Sequence, residues 1–143
     1  MLPEIRDITS FFDVRELVVI HNAVWRRSTG IIDLLAESDA CFISVDPPSK
    51  QVTGYAFIAI DAARNSVELN DIAIAPHYRR NGHGGALIRH IMSHHREIRL
   101  CADARRKKLI RFYQGHGFKT DSVYENYYGI GRDALRLVWR AEA

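Results

Sequence analysis

Only two of the 143 residues are cysteine, Cys41 and Cys101, each inside an apolar, strand-like run. Neither has CxxC spacing or a histidine at ligand distance along the chain, which argues against a disulfide framework and against a zinc site. A reducing, cytoplasmic setting fits this usage. Long apolar runs are also missing: the longest, Tyr55 to Ile60, is far short of the roughly 18 residues of a membrane span. The start Met1-Leu2-Pro3-Glu4 lacks a basic region followed by an apolar one, so the chain reads as soluble and unprocessed. Excess charge is scarce too, with 20 Lys+Arg against 17 Asp+Glu for a net +3. That surplus favours anionic ligands but does not by itself indicate a nucleic-acid binder. There is no repeat and no low-complexity stretch, and the one proline pair, Pro47-Pro48, reads as a turn. With 47% hydrophobic and 10% aromatic residues, the expectation is a single domain over residues 1–143 with one core.

What is present is a readable order of elements. Ser10 with Asp13 offers a capping-box-like start, after which Val14, Leu17, Val18, His21, Val24 and Trp25 recur at helical spacing. A shorter helix is expected over Ile31 to Glu37. Three β-rich runs follow, Cys41 to Val45, Thr53 to Ile60 and Ser66 to Ala75, joined by turn residues as a meander. Beyond Pro76 come a glycine-rich turn, a helix with Leu87, Ile88, Ile91 and Met92 on one face, and a strand at Ile98 to Ala102. A basic helix from about Arg105 to Gln114 ends at Gly115 or Gly117, and Phe118 to Tyr128 and Ala134 to Trp139 suggest a closing antiparallel pair. The class is mixed α/β: one sheet with helices on its faces.

The segment from Leu69 to Leu87 carries the most information. An apolar strand enters a turn holding Arg79, Arg80, Asn81, Gly82, His83, Gly84 and Gly85, which opens directly into a helix. Glycines let a backbone approach a bulky anion, and a helix start offers unpaired N–H groups with the positive end of the dipole. The turn reads as a phosphate cradle. A Rossmann G-x-G-x-x-G and a P-loop G-x-x-x-x-G-K-[ST] are both absent, which disfavours NAD and ATP. What matches is Arg79-x-x-Gly82-x-Gly84 after an Ile-Ala-Ile strand end, followed later by Tyr113-Gln114-Gly115-His116-Gly117-Phe118 at a Y-x-x-x-G-F position.

On these motifs the chain resembles the GNAT superfamily of acyl-CoA-dependent N-acyltransferases. Asn126-Tyr127-Tyr128 with Asp133-Ala134-Leu135 further resembles the branch that acetylates protein N-termini, including ribosomal-protein alanine acetyltransferases. The resemblance implies a GNAT fold, a mostly antiparallel sheet of six to seven strands splayed at the acyl-CoA site. It implies that backbone groups of Ile72, Ala73 and Ile74 pair with the pantetheine arm of acetyl-CoA. The turn from Arg79 to Gly85 would hold the pyrophosphate, and a backbone N–H near Ile74 would polarise the thioester carbonyl. Tyr113 would be the general acid for the departing thiolate. Glu68, eleven residues before Arg79, would be the base acting through water, with Asp71 as its nearest rival. The N-terminal-acetylating branch usually bears a glutamate where this chain has Cys101, and the family's frequent asparagine in the next helix is replaced by Arg106, the residue then expected at the pantetheine arm.

Plainer readings stand beside these. Glu68 could be a strand-edge carboxylate paired with an arginine, Tyr113 a packed helix tyrosine, and Trp25 and Tyr55 core residues. His21 reads as a hydrogen-bonded, semi-buried histidine. His90, His94 and His95 do not converge on one point, so no metal is expected. Arg105 to Lys108 is either a solvated basic face or a contact for a CoA phosphate. The expectation is an acetyl-CoA-dependent N-acetyltransferase acting on a primary amine, either a small molecule or a peptide N-terminus, by direct attack in a ternary complex. No nucleic acid and no membrane are expected as partners, and family members often form homodimers. The alternatives are an acyl-CoA-binding sensor without turnover and a basic nucleic-acid module.

Overall fold

The computed structural model describes residues 2–25 and 31–142. Its elements run β1 (Glu4–Asp7), α1 (Phe11–Trp25), α2 (Ile31–Glu37), β2 (Ala40–Val45), β3 (Val52–Asp61) and β4 (Ser66–Ile74). Then come a 3₁₀ turn (Pro76–Tyr78), α3 (His83–His94), β5 (Glu97–Asp103), α4 (Lys107–Gly115), β6 (Lys119–Tyr124) and β7 (Ala134–Arg140). One seven-stranded sheet has the order β1-β2-β3-β4-β5-β7-β6. Every pairing is antiparallel except β4 with β5. That parallel pair requires a crossover, which α3 supplies.

The expected order gains one element, β1. Glu4-Ile5-Arg6-Asp7 has a single apolar residue and no alternation to read, so its strand exists only through pairing with β2, from Glu4 opposite Val45 to Asp7 opposite Phe42. The α1 start follows the capping expectation, since Ser10 Oγ accepts the Asp13 N–H at 3.2 Å. The Asp13 carboxylate reaches further back, to Thr9 N at 3.0 Å and to Arg6 at 2.8 and 3.1 Å. This buried carboxylate ties α1 to β1, and the Arg6 hydrogen bonds hold its pKa down at about 2.

Helices cover both faces of the sheet. Leu87, Ile88 and Ile91 of α3 and Ile110 of α4 pack with Ile58, Leu69, Ile98, Leu100 and Leu137 on one side. Leu17 and Ile20 of α1 and Ile31 of α2 pack with Ile43, Tyr55, Phe57 and Ala73 on the other. Two irregularities in β4 create the site. Its ladder with β5 consists of Val67 opposite Ile98 and Glu68 opposite Arg99, after which the strands part. Opposite β3, Phe57 pairs with Asp71 while its neighbour Ile58 pairs with Leu69, which makes Asn70 the extra residue of a β-bulge.

Candidate active site

The open end of β4 leads into the glycine turn. Ile72, Ala73 and Ile74 pair with β3 on one side and have no ladder to β5 on the other. The chain passes the 3₁₀ turn, with Arg79 Nε donating to Ile74 O at 3.3 Å, and takes left-handed geometry at Arg80 (φ 66°) and Gly82 (φ 81°). It then starts α3, whose first N–H groups have no intrahelical acceptor. The three glycines have different reasons. A Cβ on Gly82 would meet nothing within 4 Å, so backbone conformation selects that residue. A Cβ on Gly84 would lie 3.3 Å from Phe112, and one on Gly85 would lie 3.0 Å from Arg89 and 3.2 Å from His116. These two let α3 sit closely beside the Phe112 and His116 side chains. Arg79, Arg80 and Asn81 are exposed, whereas the His83 side chain turns inward, its Nδ1 2.7 Å from Thr53 Oγ1. Burial lowers the His83 pKa, which favours the neutral ring.

Beside the turn, a cleft of about 320 Å³ opens where β4 and β5 diverge. In a regular strand Glu68 and Asp71, an odd number of residues apart, would face opposite sides. The bulge at Asn70 restores them to one face, and both line the cleft. Arg136 on β7 reaches Glu68, its Nη1 donating to Oε1 at 2.6 Å and Oε2 at 2.7 Å. Burial works against the Arg136 charge, but the hydrogen bonds to Glu68 and Tyr124 outweigh it and raise its pKa. Arg136 is the cross-strand neighbour of Cys101, so the Glu68–Arg136 pair spans the β5 position held by that cysteine.

Asp71 has different company. Tyr55 O–H donates to Asp71 Oδ2 at 2.8 Å, and the same phenol oxygen lies 2.8 Å from His21 Nδ1. The imidazole is itself 3.4 Å from Asp71 Oδ2. Burial raises the Asp71 pKa, partly offset by the Tyr55 hydrogen bond and by His21. His21 does read as hydrogen-bonded and buried; what its sequence context did not show is that its partners belong to the cleft. Tyr55 combines the two roles weighed for it, being fully buried and bonded to a cleft carboxylate.

Tyr113 is buried against Phe112 and Phe118, at ring-centroid distances of 5.3 and 5.4 Å. Burial, chiefly, and the Asp71 charge raise its pKa, so the phenol keeps its proton. Arg106 lines the cleft, exposed, with its guanidinium 4.5 Å above the Trp25 ring of α1. The far rim is the β6–β7 loop. Asn126 (φ 55°) organises it by accepting Gly131 N–H at 2.8 Å through its side chain, while its own N–H donates to Asp133 at 2.9 Å. This arrangement carries Tyr127 and Tyr128 to the cleft. Asp103, at the end of β5, anchors that loop through Arg132 at 3.1 Å.

The family profile described as "Acetyltransferase (GNAT) domain" matches residues 34–120. No curated protein matches the chain by sequence. Among solved structures, the ribosomal-protein-S18-alanine N-acetyltransferase from Escherichia coli superposes with a TM-score of 0.85 at 18% identity, over 99% of this chain and 96% of that one. Ard1 from Thermoplasma volcanium gives 0.83 at 21% identity, with both chains fully covered. An aminoglycoside 6'-N-acetyltransferase complexed with coenzyme A gives 0.82 at 13% identity, covering 96% of each chain. The splayed seven-stranded sheet is the fold these proteins share, and with the profile spanning well over half of its length the chain belongs to the GNAT family, as an acyl-CoA-dependent acetyltransferase.

Proposed function

We propose that this chain works as a single domain that moves an acetyl group from acetyl-CoA directly onto a primary amine. The observation that carries this reading is the gap between β4 and β5. On one side lie the free backbone of Ile72 to Ile74 and the amide end of α3, and on the other a cleft lined by Glu68 and Asp71. Backbone edge, exposed arginines and unpaired amides suit a long, phosphate-bearing thioester. Carboxylates and aromatic side chains suit a cation.

In this reading Arg79, Arg80, Asn81 and the amides of Gly82 to Gly85 hold the pyrophosphate of acetyl-CoA. Ile72, Ala73 and Ile74 align its pantetheine arm, and Arg106 closes the cleft beside it. The bound thioester supplies the acyl carbon. Glu68 draws in the acceptor's ammonium and the water around it, and Tyr113 provides the proton that leaves with the thiol. Similar folds with names that specify a protein alanine and an aminoglycoside support both acceptor kinds, a peptide N-terminus and a small-molecule amine. The two unbridged cysteines suit a reducing, cytoplasmic setting.

The test is a thiol-release screen of acetyl-CoA against polyamines, aminoglycosides, free amino acids and short peptides with varied N-termini, with acetylated product identified by mass. Amine-dependent release matched by product is expected. Tight acetyl-CoA binding without release for any amine would make the chain a sensor instead.

A further inference from the structure

Glu68 and Asp71 share a face of the sheet, but only one of them is arranged to pass a proton. A single Arg136 N–H group engages both Glu68 oxygens, at 2.6 and 2.7 Å, and the guanidinium keeps its charge at any working pH. Both Glu68 oxygens are thereby taken up by a permanent cation. Among the described residues Asp71 has no arginine hydrogen-bond partner; it is bonded to a phenol that is bonded to an imidazole, all three largely buried and on three different elements, β4, β3 and α1. The phenol has one proton and donates it to Asp71, so the phenol oxygen is left to accept from His21 Nδ1–H. Both His21 and Asp71 line the cleft. A packed core would not need this chain of polar groups. It is what a proton acceptor and the groups that hold its tautomer look like.

We infer that the Asp71–Tyr55–His21 cluster, and not Glu68, accepts the proton that the acceptor amine must lose. The inference rests on the acetyl-transfer reading and deepens it. The ammonium enters against Glu68, and one of its protons passes to the cluster. The freed nitrogen lone pair forms the N–C bond as the C–S bond breaks. The thiolate takes its proton from Tyr113, which is replenished by the second proton of the nitrogen, so the net products are amide, thiol and one proton released from the cluster. The titratable groups around Asp71 are consistent with this use. Tyr113 on α4 and Cys41 on β2 are both raised, chiefly by burial and secondarily by the Asp71 charge, and so stay protonated, competing with neither His21 nor Asp71 for the incoming proton.

The deciding experiment is the pH dependence of kcat/KM for the wild type, His21→Gln, Asp71→Asn and Glu68→Gln, using the best amine from the thiol-release screen. His21→Gln and Asp71→Asn should lose about 10²- to 10⁴-fold near neutral pH. The deficit should shrink toward pH 10, where the amine arrives already neutral. Glu68→Gln should chiefly raise the amine KM and keep the wild-type profile. A deficit that is constant across pH would make the cluster structural and overturn the inference, as would loss of the acid limb in Glu68→Gln alone. If no amine supports turnover by the wild type, the acetyl-transfer reading fails and takes this inference with it; a turning-over wild type with the wrong profiles sinks the inference alone. Carboxyl ¹³C NMR provides a readout without turnover. The Asp71 signal should titrate above the ordinary aspartate range, with a midpoint that moves in His21→Gln. An ordinary midpoint, unmoved by that change, would contradict the assignment.

Discussion

The two faces of the sheet are packed to different rules. Under α3 and α4 the main cluster is Ile, Leu, Val, Ala and Phe with the phenol of Tyr113, and at the start of α3 the buried His83 is hydrogen-bonded to Thr53, which in turn bonds Ser44. Under α1, Leu17, Ile20, Ile43 and Phe57 pack as tightly, yet the same layer buries Asp13, His21, Tyr55 and the cleft-lining Asp71. Buried polar groups cost stability unless partnered, and here each one is. The face under α3 and α4 buries only neutral groups beside the turn, whereas the face under α1 buries carboxylates, and on the proposed reading that is where the acceptor chemistry sits. On that reading, donor recognition rests on backbone amides and the exposed arginines of the turn, and acceptor recognition on the cleft side chains.

The changes that would break this division can be ranked. Tyr113→Phe removes the one phenol of the cluster under α3 and α4. It should lower kcat by about 10²-fold or more and leave acetyl-CoA affinity intact, because only the breaking C–S bond uses that proton. Unchanged turnover would return Tyr113 to the core. Next, Asp13→Asn takes the charge from the carboxylate that joins α1 to β1. It should cost about 1–2 kcal/mol of stability, trimmed by solvent at the half-exposed Arg6, with little effect on kcat. Because Asp13 is held at about 2, below its ordinary value, its stabilisation is complete above about pH 4 and drains away as pH falls through 2. Melting curves of the two proteins should converge there, and a difference that persists at low pH would point to packing instead.

A smaller effect is expected from Arg136→Ala, which removes the hydrogen bonds that fix the Glu68 carboxylate in the cleft while leaving the donor turn untouched. The amine KM should rise roughly 10-fold with acetyl-CoA affinity unchanged. Smallest of all is Gly82→Ala, which meets no neighbour but pays about 1 kcal/mol for its left-handed backbone. Acetyl-CoA affinity should fall by roughly 5-fold and the amine KM should not move. Calorimetric titration with CoA separates this loss from any effect on the acceptor.

The same division sets what the sequence could tell. The donor half is written locally: Arg79-x-x-Gly82-x-Gly84 follows its strand and opens its helix within a few residues, so both motif and placement are readable. The acceptor half is assembled from residues distant in sequence. Nothing near Asp71 announces Tyr55 or His21, and Arg136 lies 68 positions from the Glu68 it engages. The bulge at Asn70 is also silent, since only the pairing with β3 reveals the residue that turns Asp71 onto the Glu68 face. The first strand was lost for a related reason, three charged residues in four that become a strand only against β2. Of the glycine turn, the pattern was legible but the division of labour was not, because Phe112 and His116, which Gly84 and Gly85 accommodate, arrive from the next helix.

The most direct test of the central claim is the initial-velocity pattern with acetyl-CoA and the amine varied together. On the proposed reading, donor and acceptor meet in the β4–β5 gap from opposite sides, so double-reciprocal lines should intersect, the signature of a ternary complex. Parallel lines would contradict the account. They would mean that the acetyl group first moves onto the protein, with the cleft-lining Cys101 thiol as the nucleophile to examine.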